Sequence, residues 1–196
     1  LVGRTPDDEM ERVEKLQPAY YIPSDRWVYE DTMTDAEQLE EIDRCMDGTR
    51  EVFNRIEARD DLPTQVIPIA KGWKHWHFER CRRTFEDLGL SYCAFDVTQY
   101  NSINMVLEDV HRLIEVIGPD RVLLIGKLSP DHLRRCPPEV VAATGVDHWR
   151  KNSQTESGRF SRELYRFWAV RAYAAISSAQ TRLDHFGSQS NVRIHA

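Results

Sequence analysis

Three consecutive stretches decide how the fold is read: Ile103 to Ile117, then Gly118-Pro119, then Arg121-Val122-Leu123-Leu124-Ile125-Gly126. The first reads as a helix, and the glycine and proline that follow close it. The third is the clearest strand in the chain. Its apolar residues run on without polar alternation, as they do where a strand is covered on both faces in a parallel sheet.

The same order recurs outward from this stretch. Towards the N-terminus, Thr5 to Leu16 reads as a helix with Thr5 as N-cap, Pro6 at its first position and Asp7, Asp8 and Glu9 at the positive end of its dipole. Ala19-Tyr20-Tyr21-Ile22 follows as a short strand running into Pro23-Ser24-Asp25. Thr34 to Ala58 is predicted helical with a break at Gly48, and Gln65 to Ala70 is a buried strand in which Pro68 costs one ladder bond. Trp73 to Leu88 is a helix stopped by Gly89, and Tyr92-Cys93-Ala94-Phe95 is the next strand. Beyond Gly126, Ser129-Pro130-Asp131 caps a short helix that Pro137-Pro138 restarts, Thr144-Gly145-Val146-Asp147 forms a last short strand, and Glu156 to His185 is helical.

Strands separated throughout by helices imply an α/β fold with a parallel sheet covered by helices. A doubly wound sheet fits this alternation, but no glycine-rich phosphate loop follows the first strand. A TIM-type (β/α) barrel is therefore the favoured architecture. A complete barrel takes eight strands and about 250 residues, so the expectation is one incomplete barrel domain over residues 1–196. Its first strands would precede Leu1, or a second copy in a homodimer would complete it.

Composition bounds the function without naming it. With 41% hydrophobic and 30% charged residues, the chain is an ordinary globular one. It has no apolar run of roughly 18 residues and no signal pattern, so no membrane association and a cytoplasmic location are expected. Cys45, Cys81, Cys93 and Cys136 are widely spaced, which points to buried thiols and not to a metal site or disulfides. No cofactor is implied. The net charge of −6 argues against a generally basic surface but allows a local basic cleft.

In a barrel, reactive groups sit on loops after the strands. The candidates are Asp25, Lys71 with Gly72, Asp96, Lys127 with Ser129, and Asp147 with His148. Asp25 has a carboxylate that can accept two N–H donors of a purine edge, or it can make an Asx turn. Lys71-Gly72 offers a cation beside a residue that lets a ligand approach the backbone, or simply a turn. Trp73-Lys74-His75-Trp76-His77-Phe78 can stack on bases and hold phosphates, or pack as core.

Four stretches, in order over about residues 5 to 150, resemble the tRNA-guanine transglycosylases, including their DNA-modifying relatives that insert 7-deazaguanines. Thr5 to Met10 through Ala19 to Asp25 is similar to a helix leading into a strand that ends in a base-recognising aspartate. Val66 to Gly72 resembles the family's apolar strand ending in Gln-Gly. Ser91 to Asp96 stands where the family has a strand entering a glycine-rich base-binding turn. Arg121 to Leu133 with Gly145-Val146-Asp147 resembles a strand, a Gly-x-x-x-Pro-Glu-x-Leu helix start and a Gly-x-Asp-x-x-Asp segment.

The resemblance implies exchange of guanine for a 7-deazaguanine in tRNA or DNA, through an aspartate that attacks C1′ of a flipped-out nucleotide. Nucleic acid and a guanine-like base are then the partners, and Asp25, Lys71, Gly72 and Asp96 the base-binding positions. The family's nucleophile place is Arg150 here, which leaves Asp147 as the nearest carboxylate. The Gly-Gly turn is Phe95-Asp96, Gln is Lys71, and a cysteine-rich zinc segment is replaced by Glu156 to His185. A catalytically silent barrel that binds nucleic acid or completes a partner subunit is the alternative.

Overall fold

A computed structural model describes residues 4–23, 25–28, 31–126, 129–145 and 147–187, without the side chains of Asp147 and of residues beyond Ser177. The fold is α/β with parallel strand pairing. The chain divides into two compact units, Leu1–Asp96 with Glu108–Val122, and Val97–Leu107 with Leu123–Ala196.

The first unit begins with α1 (Pro6–Leu16), whose N-terminus is a reciprocal capping box: the Thr5 hydroxyl accepts the Asp8 N–H while the Asp8 carboxylate accepts the Thr5 N–H. Thr34 and Glu37 repeat the device at the start of α2 (Asp35–Glu57). Such a cap stabilises a helix by about 1 kcal/mol. α2 runs unbroken through Gly48, contrary to the predicted break. Ile42, Cys45, Met46, Thr49, Val52 and Ile56 recur every three or four residues as one buried face. Burial of that face outweighs the ~1 kcal/mol that a helical glycine costs.

β1 (Tyr20–Tyr21) pairs in parallel with β2 (Gln65–Val66), and β3 (Ile69–Ala70) pairs in parallel with β4 (Tyr92–Asp96). Pro68 thus divides the expected strand in two. The Ile67 N–H still donates to the Tyr21 carbonyl, and the Pro68 carbonyl accepts from the Ala94 N–H, so the chain passes from one partner to the other at the residue that has no N–H to give. Met10 and Val13 of α1, Val52 and Ile56 of α2, Leu62 and Val66 form a buried cluster over β2. α3 (His75–Asp87) packs on β4 through the edge-to-face pair Phe78 and Phe95, and on α2 through Arg80–Asp43 and Arg50–Asp87.

α4 (Ile103–Ile117) and β5 (Arg121–Ile125) fall where the sequence places them. The Asp120 N–H donates to the Ser91 carbonyl and the Val97 N–H to the Ile125 carbonyl, so β4 and β5 run the same way. The four-stranded sheet has the order β3-β4-β5-β6, with β6 at Val140–Thr144.

The second unit departs most from expectation. Ser129 caps the one-turn α5 (Pro130–Leu133) by accepting the His132 N–H, as its sequence implies. Pro137-Pro138 does not restart it. Those prolines form a turn in which the Val140 N–H returns to the Pro137 carbonyl, and the chain then enters β6, four residues ahead of the expected strand. Asp147 therefore opens a helix, α6 (Asp147–Asn152), and does not end a strand. α7 (Arg162–Gly187) begins later than Glu156, because a small antiparallel loop closed by Gln154 and Phe160 occupies the approach and Ser161 accepts the Leu164 N–H at the helix start. α7 packs on α5, α6 and β6. Among the described residues, no helix is long and apolar enough to cross a membrane.

Candidate functional site

The first unit gathers three of the predicted residues where its parallel strands end. Lys71 follows β3 and Asp96 ends β4; since Ile69 opposes Ala94 and Ala70 opposes Phe95, Lys71 and Asp96 are next in register. Lys71 reaches Asp25, which follows β1, with Nζ 2.9 Å from Oδ1. The lysine side chain is 10% exposed and the carboxylate 24%, so the pair is largely desolvated yet keeps one open side. An ion pair in this setting holds more tightly than a surface one, and either partner left alone would be a costly buried charge. Asp25 is thus paired with a lysine 46 residues away in sequence.

The loop after Lys71 is built from the backbone inward. The Lys71 N–H donates to Cys81 Sγ of α3 at 3.4 Å. Gly72 has φ +88°, and a Cβ there would lie 2.2 Å from His77 Nδ1. Only glycine meets both conditions without strain. His77 Nδ1 accepts the N–H groups of Trp73 and Lys74 at 3.2 and 3.3 Å, doing at the start of α3 what the Asp8 and Glu37 carboxylates do at the starts of α1 and α2. Two donors on Nδ1 leave the ring proton on Nε2, which is buried and has no hydrogen-bond partner among the described residues. Burial, helped by the Lys74 charge, pushes the His77 pKa down to about 4. Arg112 of α4 donates to the Trp73 carbonyl at 2.5 Å and pairs with Asp109.

The aromatic stretch thus divides. His77 is fully buried and Phe78 is core, so neither meets a ligand. Trp73 and Trp76 are half-buried with their edges against His77, ring centroids 5.1 and 3.9 Å away, while Lys74 lies within 6 Å of both indoles and pairs with Asp35. His77 and Arg112 are the positioning residues that sequence reasoning missed. The signal for the first was present: a polar residue three places after the N-cap is where a capping box takes its acceptor.

Asp147 opens α6 in the second unit, and its side chain lies outside the described residues, as does Lys127. Two residues earlier, a Cβ on Gly145 would meet the Gly126 carbonyl oxygen at 1.6 Å, so the end of β5 and the segment after β6 approach too closely for any other residue. His148 Nδ1 accepts the Trp168 indole N–H at 2.8 Å, and burial lowers its pKa. Arg150 is exposed on α6. Cys45 and Cys93 are buried thiols raised far above their ordinary pKa, and burial pushes Cys81 and Cys136 up to about 11, which removes the thiolate a nucleophile or metal ligand needs. Among the described residues, no cluster of His, Cys, Asp and Glu is arranged to hold a metal.

No family model matches the chain, and no curated protein matches it.

Proposed function

We propose that the chain forms a TIM-type barrel that exchanges guanine for a 7-deazaguanine in tRNA or DNA. The observation that carries this reading is the half-buried Asp25–Lys71 pair at the ends of parallel strands, with Asp96 next to Lys71 in register. Lys71 engages Asp25 Oδ1. Oδ2 is then the acceptor for the N–H donors of a guanine edge. In the exchange that the motif resemblance implies, an aspartate carboxylate bonds to C1′ as the bond from C1′ to guanine breaks and guanine departs with a proton, and Asp147 is the carboxylate that the resemblance leaves for this step. A ring nitrogen of the incoming deazaguanine then displaces the aspartate, giving up its proton.

A second reading is favoured by Arg150, which stands at the sixth place of Gly145-x-Asp147-x-x-Arg150 and is exposed. In it the barrel is catalytically silent and binds nucleic acid or completes a partner subunit, including a second copy.

Incorporation of labelled guanine into tRNA and into duplex DNA separates the two. The enzyme reading expects incorporation on one substrate, abolished by Asp147→Ala, weakened by Asp25→Asn and kept by a surface control such as Glu40→Gln. No incorporation on either substrate by the folded full-length protein sinks the enzyme and leaves the silent barrel.

A further inference from the structure

The second unit carries a surface unlike the rest of the molecule. Residues 147 to 173 hold six cations, Arg150, Lys151, Arg159, Arg162, Arg166 and Arg171, against Asp147, Glu156 and Glu163, a local balance of +3. With −6 for the whole chain, the remainder carries −9. The six cations are all exposed, and none is in an ion pair recorded among the described residues. In the first unit, by contrast, Arg44, Arg50, Arg55, Arg59, Arg80 and Arg112 each hold a carboxylate.

The apolar groups here are as unusual as the charges. Phe160 is 59% exposed, Phe167 65% and Tyr173 76%, and Trp149 stands edge-on to both Phe160 and Tyr165. Cations and rings are interleaved on one side of α7. Arg162, Arg166, Val170 and Tyr173 follow at helical spacing, and beside them the Arg171 guanidinium lies 5.8 Å from the Phe167 ring centre. A helix lying on a membrane segregates its cations from its apolar face, and the centre of a protein interface is depleted of charge. Alternating guanidinium and exposed ring is the pattern that takes an anionic backbone and its bases together.

We infer that the α6–α7 face binds a single-stranded polynucleotide, with Phe167 and Tyr173 stacking on unpaired bases and the arginines beside them meeting phosphates. The residues that make the contacts, Arg162, Arg166, Phe167 and Tyr173, take no part in the base-exchange reading, and the site stands whether or not that reaction occurs. Fluorescence anisotropy of the full-length protein with labelled 20-nucleotide oligo(dT) and oligo(U), and with a 20-base-pair duplex, tests it across a salt series. Both single strands are expected to bind more tightly than the duplex, with affinity falling as salt rises. Arg162→Gln with Arg166→Gln should flatten the salt slope by about 1.4, at ~0.7 per phosphate contact on a single strand. Phe167→Ala with Tyr173→Ala should weaken binding at least roughly tenfold and leave the slope unchanged, since stacking releases no counterions. All four positions are exposed, so unchanged circular-dichroism melting is expected of both variants. Failure to bind single strands at 50 mM salt, equal affinity for the duplex, or indifference to both double variants overturns the inference. So does binding to phosphatidylserine vesicles without oligonucleotide binding, or a dimer in sedimentation that Phe167→Ala dissociates and oligonucleotide does not affect.

Discussion

At the scale of single residues, the loop after β3 shows how one glycine and one histidine fix each other. Gly72 has positive φ and His77 Nδ1 where its side chain would be, whereas Gly89 has a similar φ of +66° but open space around the missing Cβ. The two positions separate strain from collision. Gly89→Ala is expected to cost about 1 kcal/mol, the penalty of a left-handed backbone with a Cβ. Gly72→Ala adds loss of the His77 acceptor and is expected to cost roughly 3 kcal/mol, since two backbone donors lose their partner. Urea unfolding of the two variants measures the difference, and equal costs would mean that His77 yields freely. Lys71→Met in the same loop leaves Asp25 half-buried without its cation and is expected to destabilise by roughly 3 kcal/mol, less if Asp25→Asn is added.

At the scale of elements, the helices were legible because their determinants are local. Thr34 and Glu37 announce the start of α2, and the bonds between them are those a capping box makes. Thr34→Ala should lower the thermal midpoint by the few degrees that about 1 kcal/mol represents, with Glu11→Gln, at an exposed position of α1, as a control that leaves it unchanged. What the pattern misjudged was decided by contacts distant in sequence. Gly48 reads as a break only until the buried face of α2 is seen to pass through it, and β6 was hidden because Val140-Val141-Ala142-Ala143 follows two prolines that look like a helix start. The candidate site divides in the same way. Asp25, Lys71, Gly72 and Asp96 were readable as strand-end residues, but the bond across 46 residues between Asp25 and Lys71 leaves no trace in any local period. The role of His77 was likewise hidden, since whether a histidine in an aromatic run meets a ligand or a backbone depends on how the preceding loop folds back.

At the scale of the whole molecule, the buried titratable groups define a window of pH within which the fold is stable. His77 is neutral in the folded chain down to about pH 4, while an unfolded histidine takes its proton near 6.5, so the unfolded state binds the extra proton between those values. Its stabilising contribution is complete above about 6.5 and declines as pH falls towards 4, by roughly 3 kcal/mol in all at 1.36 per unit. His148, lowered in the same sense by burial, acts in the same direction. Below that range Asp8, Glu37 and Asp61, whose carboxylates are held below their ordinary pKa by Thr5, Thr34 and Arg59, lose their acceptor role on protonation. On the alkaline side, Cys45, Cys81 and Cys93 resist ionisation inside the fold, whereas unfolded thiols ionise near 8.5 to 9. Their contribution is complete below that value and is lost as pH rises. Stability should therefore form a plateau between about pH 6.5 and 8.5. Urea midpoints from pH 3.5 to 10.5 map it, and His77→Asn, which keeps a side-chain acceptor near Nδ1 but has no ring to protonate, should flatten the limb between pH 6.5 and 4 while leaving the alkaline limb as it was. An acid limb that starts only below pH 4 in the unsubstituted protein would remove His77 from this account, because the carboxylates alone would then explain it.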